Sequence, residues 1–154
     1  MKEMQEYLRS TEFIESAAPE IVDIARSQSG ESPRATAIAL FEWVRDNIRY
    51  NPYAAVDPRE KYRATAILER GSGYCVQKAV LLAALGRAAG IPTRLGFADV
   101  INHKSPPKMV DLMGTKVFIY HGYVEFYLEG KWVKATPAFD EKTSNKAGVL
   151  PVTL

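Results

Sequence analysis

Residues 71–94 have the sequence GSGYCVQKAVLLAALGRAAGIPTR and decide the fold of this 154-residue chain. Residues 75–89 contain no proline, and their apolar side chains recur at helical spacing, which predicts a helix with a wide buried face. Gly90, followed by isoleucine and proline, is typical of the end of a helix. A loop of small residues, 71–73, precedes this helix. The single cysteine of the chain, Cys75, is therefore predicted in the first turn of a buried helix.

The sequence before this stretch predicts helices, and the sequence after it predicts strands. Helical periodicity occurs in residues 19–28, 33–48 and 64–69, and in the second of these the apolar side chains on one face are Ile38, Phe41, Val44 and Ile48. Branched and aromatic residues are concentrated in residues 93–100, 117–128 and 132–136. We therefore predict an α+β fold in a single domain, residues 1–154, with a core at about 35–140 and an N-terminal helical extension over residues 1–30.

The last two predicted strands form a candidate hairpin. Residues 129–130, Glu-Gly, predict a two-residue loop, which would pair Tyr123 with Thr136. If the same register continues, the diagonal neighbours of His121 on its face of the sheet are Thr136 and Asp140. The hairpin therefore predicts that a histidine and either a hydroxyl or a carboxylate lie side by side.

Composition and charge exclude several classes of function. The chain has 20 Lys and Arg against 18 Asp and Glu, too balanced for the cationic surface of a nucleic-acid-binding protein. It has no apolar run long enough to cross a membrane, and its N-terminus lacks the pattern of a signal peptide. We therefore expect a cytoplasmic protein whose thiol stays reduced. No sequence feature indicates an oligomeric state.

The predicted position of Cys75 suits nucleophilic catalysis. The N–H groups of a first helical turn stabilise a thiolate, and they can also donate to an oxyanion that forms on a substrate carbonyl. A neighbouring histidine can take the thiol proton and return it to the leaving amine. Cys75 is thus the candidate nucleophile and His121 the candidate base, with Asp140 or Thr136 as the group that orients the imidazole.

Other interpretations of the same residues remain open. A lone cysteine is often a buried packing residue, a lone histidine is often structural, and Asp140 could equally be a solvated carboxylate. A metal bound by Cys75, His103 and His121 is disfavoured, because the sequence contains no local ligand pair at metal-binding spacing. We therefore expect neither a metal nor another cofactor.

Several short motifs together resemble the transglutaminase-like superfamily. They are GYC at 73–75, RAAGIPTR at 87–94, HGYVEFY at 121–127 and GKW at 130–132, preceded by FEWV at 41–44 and NIRY at 47–50. The resemblance covers residues 35–139 or so, in the order of the family. It implies a papain-like core, in which a central helix carrying the cysteine packs on an antiparallel sheet carrying the histidine. It also implies a thioester acyl-enzyme, formed on an amide carbonyl and resolved by water or by an amine.

The resemblance assigns Cys75 as nucleophile and His121 as base. The family usually has aspartate four residues after the tryptophan of the second hairpin strand; here that position is Thr136, so we assign the orienting role to Asp140, with Thr136 as the alternative. Tyr74 and Tyr50 are expected to line the cleft. We predict a cysteine protease or amidase with a Cys-His-Asp type triad that hydrolyses an amide of a peptide or protein substrate. The alternatives are an inactive peptide-binding module and an amine-accepting transglutaminase.

Overall fold

The computed structural model describes residues 2–101 and 117–136, with side chains at residues 4–96 and 122–136. The α-helices of this part of the chain are α1 (Pro19–Ser27), α2 (Pro33–Asn47), α3 (Ala64–Arg70) and α4 (Cys75–Ala88). Its strands are β1 (Arg49–Tyr50), β2 (Ser72–Gly73), β3 (Thr93–Ile101), β4 (Val117–Leu128) and β5 (Lys131–Ala135). Short 3-10 helices cover Lys2–Tyr7, Pro52–Val56 and Arg59–Tyr62. The predicted α+β class is confirmed.

Helix α4 begins at Cys75, as predicted, and forms the centre of the molecule. Helices α1, α2 and α3 pack against it, as do strands β3 and β4. From Cys75 to Gly86 its residues are buried, with the exception of the partly exposed Val76. The sequence predicted burial of one wide face, whereas the helix is buried on nearly every side because helices and sheet enclose it.

Gly86 allows α4 to lie close to the sheet. A Cβ at this position would meet the Thr93 hydroxyl and would lie 2.8 Å from Cε1 of Phe126. Alanine has the higher helix propensity, so the glycine reflects packing rather than the local preference of the helix.

The larger sheet is antiparallel, in the order β3-β4-β5. Its hairpin turn has positive φ at both Glu129 (53°) and Gly130 (81°), the combination typical of a type I′ turn. The predicted pairing is confirmed from Leu128 with Lys131 to Val124 with Ala135. Strand β5 ends there, one residue earlier than predicted, so Thr136 lies just beyond the observed ladder.

A second, smaller sheet was not predicted. β1 pairs in parallel with β2, with Tyr50 opposite Gly73. The Asn51 N–H donates to the Gly73 carbonyl at 2.9 Å, and Gly71 ends α3 in the left-handed conformation, with φ of 72°. The pair joins the end of α2 to the residues immediately before α4, in a region where the sequence predicted only loops.

The N-terminal thirty residues are less helical than predicted. Between the 3-10 helix Lys2–Tyr7 and α1, residues 8–18 contain no helix. The Phe13 carbonyl accepts from the Ala64 N–H at 3.0 Å, and the Glu15 carboxylate accepts from the N–H and hydroxyl of Thr65. These hydrogen bonds hold the segment against the start of α3.

Helix α2 begins as predicted, with the Ser32 hydroxyl accepting from the Ala35 N–H at 3.1 Å. Of the four residues on its predicted apolar face, Phe41, Val44 and Ile48 are buried, whereas Ile38 is partly exposed and Leu40 is buried in addition. The Lys78 side chain of α4 is fully buried and donates to the Arg45 carbonyl at 3.4 Å.

Candidate active site

The candidate nucleophile, Cys75, is the first residue of α4 and is only 5% exposed. The Gly122 N–H of β4 donates to its sulfur at 3.4 Å. Burial raises the pKa of the Cys75 thiol, and the N–H groups of Gly122, Val76 and Cys75 itself act in the opposite direction. Burial is the largest of these effects, so the net direction is upward, although the helix start alone favours the thiolate.

Gly122 explains how β4 comes so close to the start of α4. Its own position has no room for a side chain, because a Cβ would lie 2.8 Å from the Val76 Cα and 3.2 Å from the Val76 nitrogen. Strand and helix therefore meet backbone against backbone. The hydrogen bond from Gly122 to Cys75 that this contact allows joins residues 47 positions apart in the chain.

The candidate base, His121, immediately precedes Gly122 on β4. Its backbone pairs with Ala98 of β3, and the ladder is irregular directly beyond, between Ala98 and Val100. Because the Gly122 N–H donates to the Cys75 sulfur, the adjacent backbone of His121 also lies near Cys75, and the described part of His121 is this backbone.

The two tyrosines expected in the cleft both lie near Cys75. Tyr74 directly precedes it, and Tyr50 reaches it because β1 pairs with β2, the strand just upstream of α4. The pKa of each phenol is raised, by burial above all and also by the negative charge that a thiolate places nearby.

A third tyrosine, Tyr62, was not predicted at the site. Its hydroxyl lies 2.8 Å from that of Tyr74 and donates to the Ala55 carbonyl at 3.1 Å. Because a phenol carries one proton, Tyr74 donates in this pair and Tyr62 accepts. The chain of hydrogen bonds thus orients the Tyr74 side chain at the mouth of the site.

A buried glutamine holds the backbone just before Cys75. The Gln77 side chain, 1% exposed, accepts from the Tyr74 N–H at 3.2 Å and donates to Asp57 at 3.0 Å. Asp57 in turn forms an ion pair with Arg70 at the end of α3. The only sequence signal was a glutamine at the third helical position, which is half of a capping-box pattern.

The structure describes only some of the remaining predicted residues. Thr136 is half-buried and lies one residue beyond β5. Asp140 and His103, the latter from the disfavoured metal site, lie outside the described residues. Among the side chains of residues 4–96 and 122–136, no three histidine, cysteine, aspartate or glutamate residues form a group able to hold a metal ion.

A family model and several solved structures match this chain. A family model described as the transglutaminase-like superfamily matches residues 22–137. A search of curated proteins finds no match. Among solved structures, a candidate cysteine protease from Cytophaga hutchinsonii aligns over 99% of this chain and 47% of its own, with 19% identity and a TM-score of 0.68.

Two further solved structures share the fold. The periplasmic domain of TgpA from Pseudomonas aeruginosa aligns over 88% of this chain and 46% of its own, with 20% identity and a TM-score of 0.59. A candidate protease from Parabacteroides distasonis aligns over 86% and 25%, with 17% identity and a TM-score of 0.52. The chain thus spans at most about half the length of these structures.

The cellular location of the chain stays a prediction. Across residues 2–101 and 117–136, no helix combines the length and the hydropathy that crossing a membrane requires.

Proposed function

The chain belongs to the transglutaminase-like superfamily, and from this premise we propose that it is a thiol enzyme that hydrolyses an amide of a peptide or protein substrate. The hydrogen bond from the Gly122 N–H to the Cys75 sulfur carries the proposal. It supports a site in which the first turn of α4 and the strand bearing His121 act together.

In the first half-reaction, His121 takes the proton of the Cys75 thiol and the sulfur attacks the carbonyl carbon of the amide. The carbonyl oxygen becomes an oxyanion, to which the Cys75 N–H at the helix start donates. The carbon–nitrogen bond then breaks as His121 protonates the departing amine. The product of this step is a thioester between the substrate acyl group and Cys75.

In the second half-reaction, water attacks the thioester carbon and gives its proton to His121. The carbon–sulfur bond breaks, the sulfur regains a proton, and the substrate leaves as a carboxylic acid. An amine in place of water would give a new amide. We favour water over an amine because water is a small molecule and needs only a small opening to reach the thioester.

The raised thiol pKa makes His121 central to this mechanism. Burial disfavours a lone thiolate at Cys75, so the anion needs a positive partner to form near neutral pH. An imidazolium at His121 supplies that charge, and Asp140 is proposed to orient the ring, with Thr136 as the alternative.

Thiol labelling tests the proposal directly, because Cys75 is the only cysteine in the chain. We expect iodoacetamide to alkylate the wild-type protein readily at about pH 6, well below the usual thiol pKa of roughly 8.5. In His121→Ala we expect the alkylation rate at that pH to be at least about tenfold lower than in wild type. The rate of this variant is expected to rise steadily into the alkaline range, because burial then raises the thiol pKa without a neighbouring imidazolium.

Product analysis provides the second measurement. Peptides incubated with the enzyme in isotopically heavy water are expected to incorporate heavy oxygen into the new carboxylate, and Cys75→Ser is expected to abolish this incorporation. Wild-type labelling that merely follows an ordinary thiol titration, with no turnover, would instead favour the inactive peptide-binding module. Capture of an added amine in preference to water would favour the transglutaminase.

A further inference from the structure

Next to the first turn of α4, the described surface forms an open cavity of about 390 Å³. This volume lies within the range of ligand pockets, roughly 300–1,000 Å³. The N-terminal segment, a 3-10 helix, α4 and β3 all contribute to its walls. Its apolar lining consists of Phe13, Tyr62, Val76, Val80 and Leu95.

The cavity adjoins the candidate nucleophile. Val76, which forms part of its wall, is the residue after Cys75 and is the one partly exposed position among the first turns of α4. Tyr62, which also lines the cavity, is hydrogen-bonded to Tyr74, the residue before Cys75. The residue after Cys75 thus lines the cavity, and the residue before it bonds to a lining side chain, which places the cavity beside the candidate nucleophile.

Two charged residues also line the cavity, and both have partners within the protein. Arg59 donates to the Glu12 carboxylate at 3.0 Å and lies 4.8 Å from the centre of the Phe13 ring. Asp57 accepts from Gln77 and pairs with Arg70. Because each charge is compensated, the cavity favours an apolar group over a charged one.

We propose that this cavity binds a large apolar side chain, leucine-like or phenylalanine-like, on the acyl side of the amide that Cys75 attacks. The inference rests on the proposed function and adds the class of substrate to it. We assign the cavity to the acyl side of the substrate because the acyl group stays in the site from the first half-reaction to the second, whereas the amine leaves after the first. Contacts made there therefore contribute to formation of the thioester and to its hydrolysis.

Peptidyl acyloxymethyl ketones test the proposal, since the Cys75 sulfur bonds to their methylene carbon as the carboxylate leaves. Two series of probes are used: one varies the residue next to the ketone, and the other varies the residue before it. In each series the varied residue is phenylalanine, leucine, alanine, aspartate or lysine. We expect Cys75 to be labelled roughly 10–100-fold faster by the phenylalanine or leucine probe than by the alanine probe. The aspartate and lysine probes are expected to be the slowest.

The variant Leu95→Trp fills the cavity and is expected to remove this preference, and the iodoacetamide rate of the same variant reports separately on the activation of Cys75. The matched control is Leu68→Trp, which alters another half-buried leucine, in a separate surface depression with Thr65 and Glu69. Phe13→Ala enlarges the cavity and is expected to shift the preference towards the largest side chain. It provides a second measurement if Leu95→Trp does not fold.

Failure of this proposal can be distinguished from failure of the proposed function. Equal rates across the probes, with an activated Cys75 in the iodoacetamide assay, overturn the substrate class alone. A preference that survives Leu95→Trp, or that Leu68→Trp removes equally, overturns the assignment to this cavity. A Cys75 that reacts only as an ordinary thiol overturns the enzyme and the substrate class together.

Discussion

Gly122 of β4 and Val76 of α4 are in backbone contact, so close that a Cβ at Gly122 would lie 2.8 Å from the Val76 Cα. Real Cβ atoms essentially never approach another atom so closely. The contact fixes the distance between the histidine-bearing strand and the cysteine-bearing turn. It also aims the Gly122 N–H at the Cys75 sulfur.

Gly122→Ala is therefore expected to push β4 away from the start of α4. Overpacking of this kind costs roughly 1–3 kcal/mol in the free energy of unfolding, measured by urea denaturation. We also expect slower alkylation of Cys75 at pH 6, because the strand that bears His121 moves with the backbone.

Gly90→Ala is the control for that variant. Nothing lies within 4 Å of a Cβ at Gly90, but its φ is 82°, so alanine there strains the backbone far from Cys75. It is expected to lower stability by about 1 kcal/mol without slowing alkylation. If Gly122→Ala alkylated at the wild-type rate, the contact would have no part in the reactivity of Cys75.

Gln77→Ala removes the side chain that holds the backbone before Cys75. The Tyr74 N–H and the Asp57 carboxylate each lose a hydrogen bond, and an unsatisfied buried polar group costs roughly 1–3 kcal/mol. We expect a loss of this size in urea denaturation, together with slower labelling of Cys75 by the peptidyl probes. The exposed Gln5, changed to alanine, is the control and should stay within about 0.5 kcal/mol of wild type. An equally small effect of Gln77→Ala would contradict the positioning role.

The raised pKa of Tyr50 predicts that the stability of the folded protein decreases at alkaline pH. Its pKa is raised in the folded protein, mainly by burial, so above about pH 10 the unfolded chain loses a proton that the folded chain keeps. Stability contributed by the neutral phenol is present below that pH and is lost as the pH rises. The contribution falls by about 1.4 kcal/mol per pH unit.

Tyr50→Phe should therefore lose stability less steeply than wild type between about pH 10 and 11, by urea denaturation at each pH. Tyr53→Phe, which alters a tyrosine that is 49% exposed, is the control. Identical slopes for wild type and Tyr50→Phe would show that this phenol ionises as easily in the folded state as in the unfolded one.

The third member of the proposed triad can be identified by comparing Asp140→Ala with Thr136→Ala. If Asp140 orients His121, its loss is expected to slow alkylation at pH 6 by about tenfold or more, whereas Thr136→Ala has little effect. The reverse order would assign the role to Thr136. Loss of labelling only in His121→Ala would leave a Cys-His dyad.

The features that the sequence predicted correctly depend on short-range rules. Ser32 caps α2, residues 129–130 form the two-residue hairpin turn, and α4 begins at Cys75 and ends at Ala88, just before Gly90. Each of these depends on backbone geometry over a few residues, which side-chain identity determines locally. The order of helices and strands, and with it the α+β class, followed from these rules.

The chemistry of the site was decided by tertiary structure. The approach of Gly122 to Cys75, the hydrogen bond between Tyr62 and Tyr74, and the cavity beside Val76 join residues that are distant in sequence. The direction of the Cys75 pKa is a further example, since the helix start favours the thiolate and burial outweighs it. Desolvation and close approach depend on which elements pack together, and a local pattern contains no information on that packing.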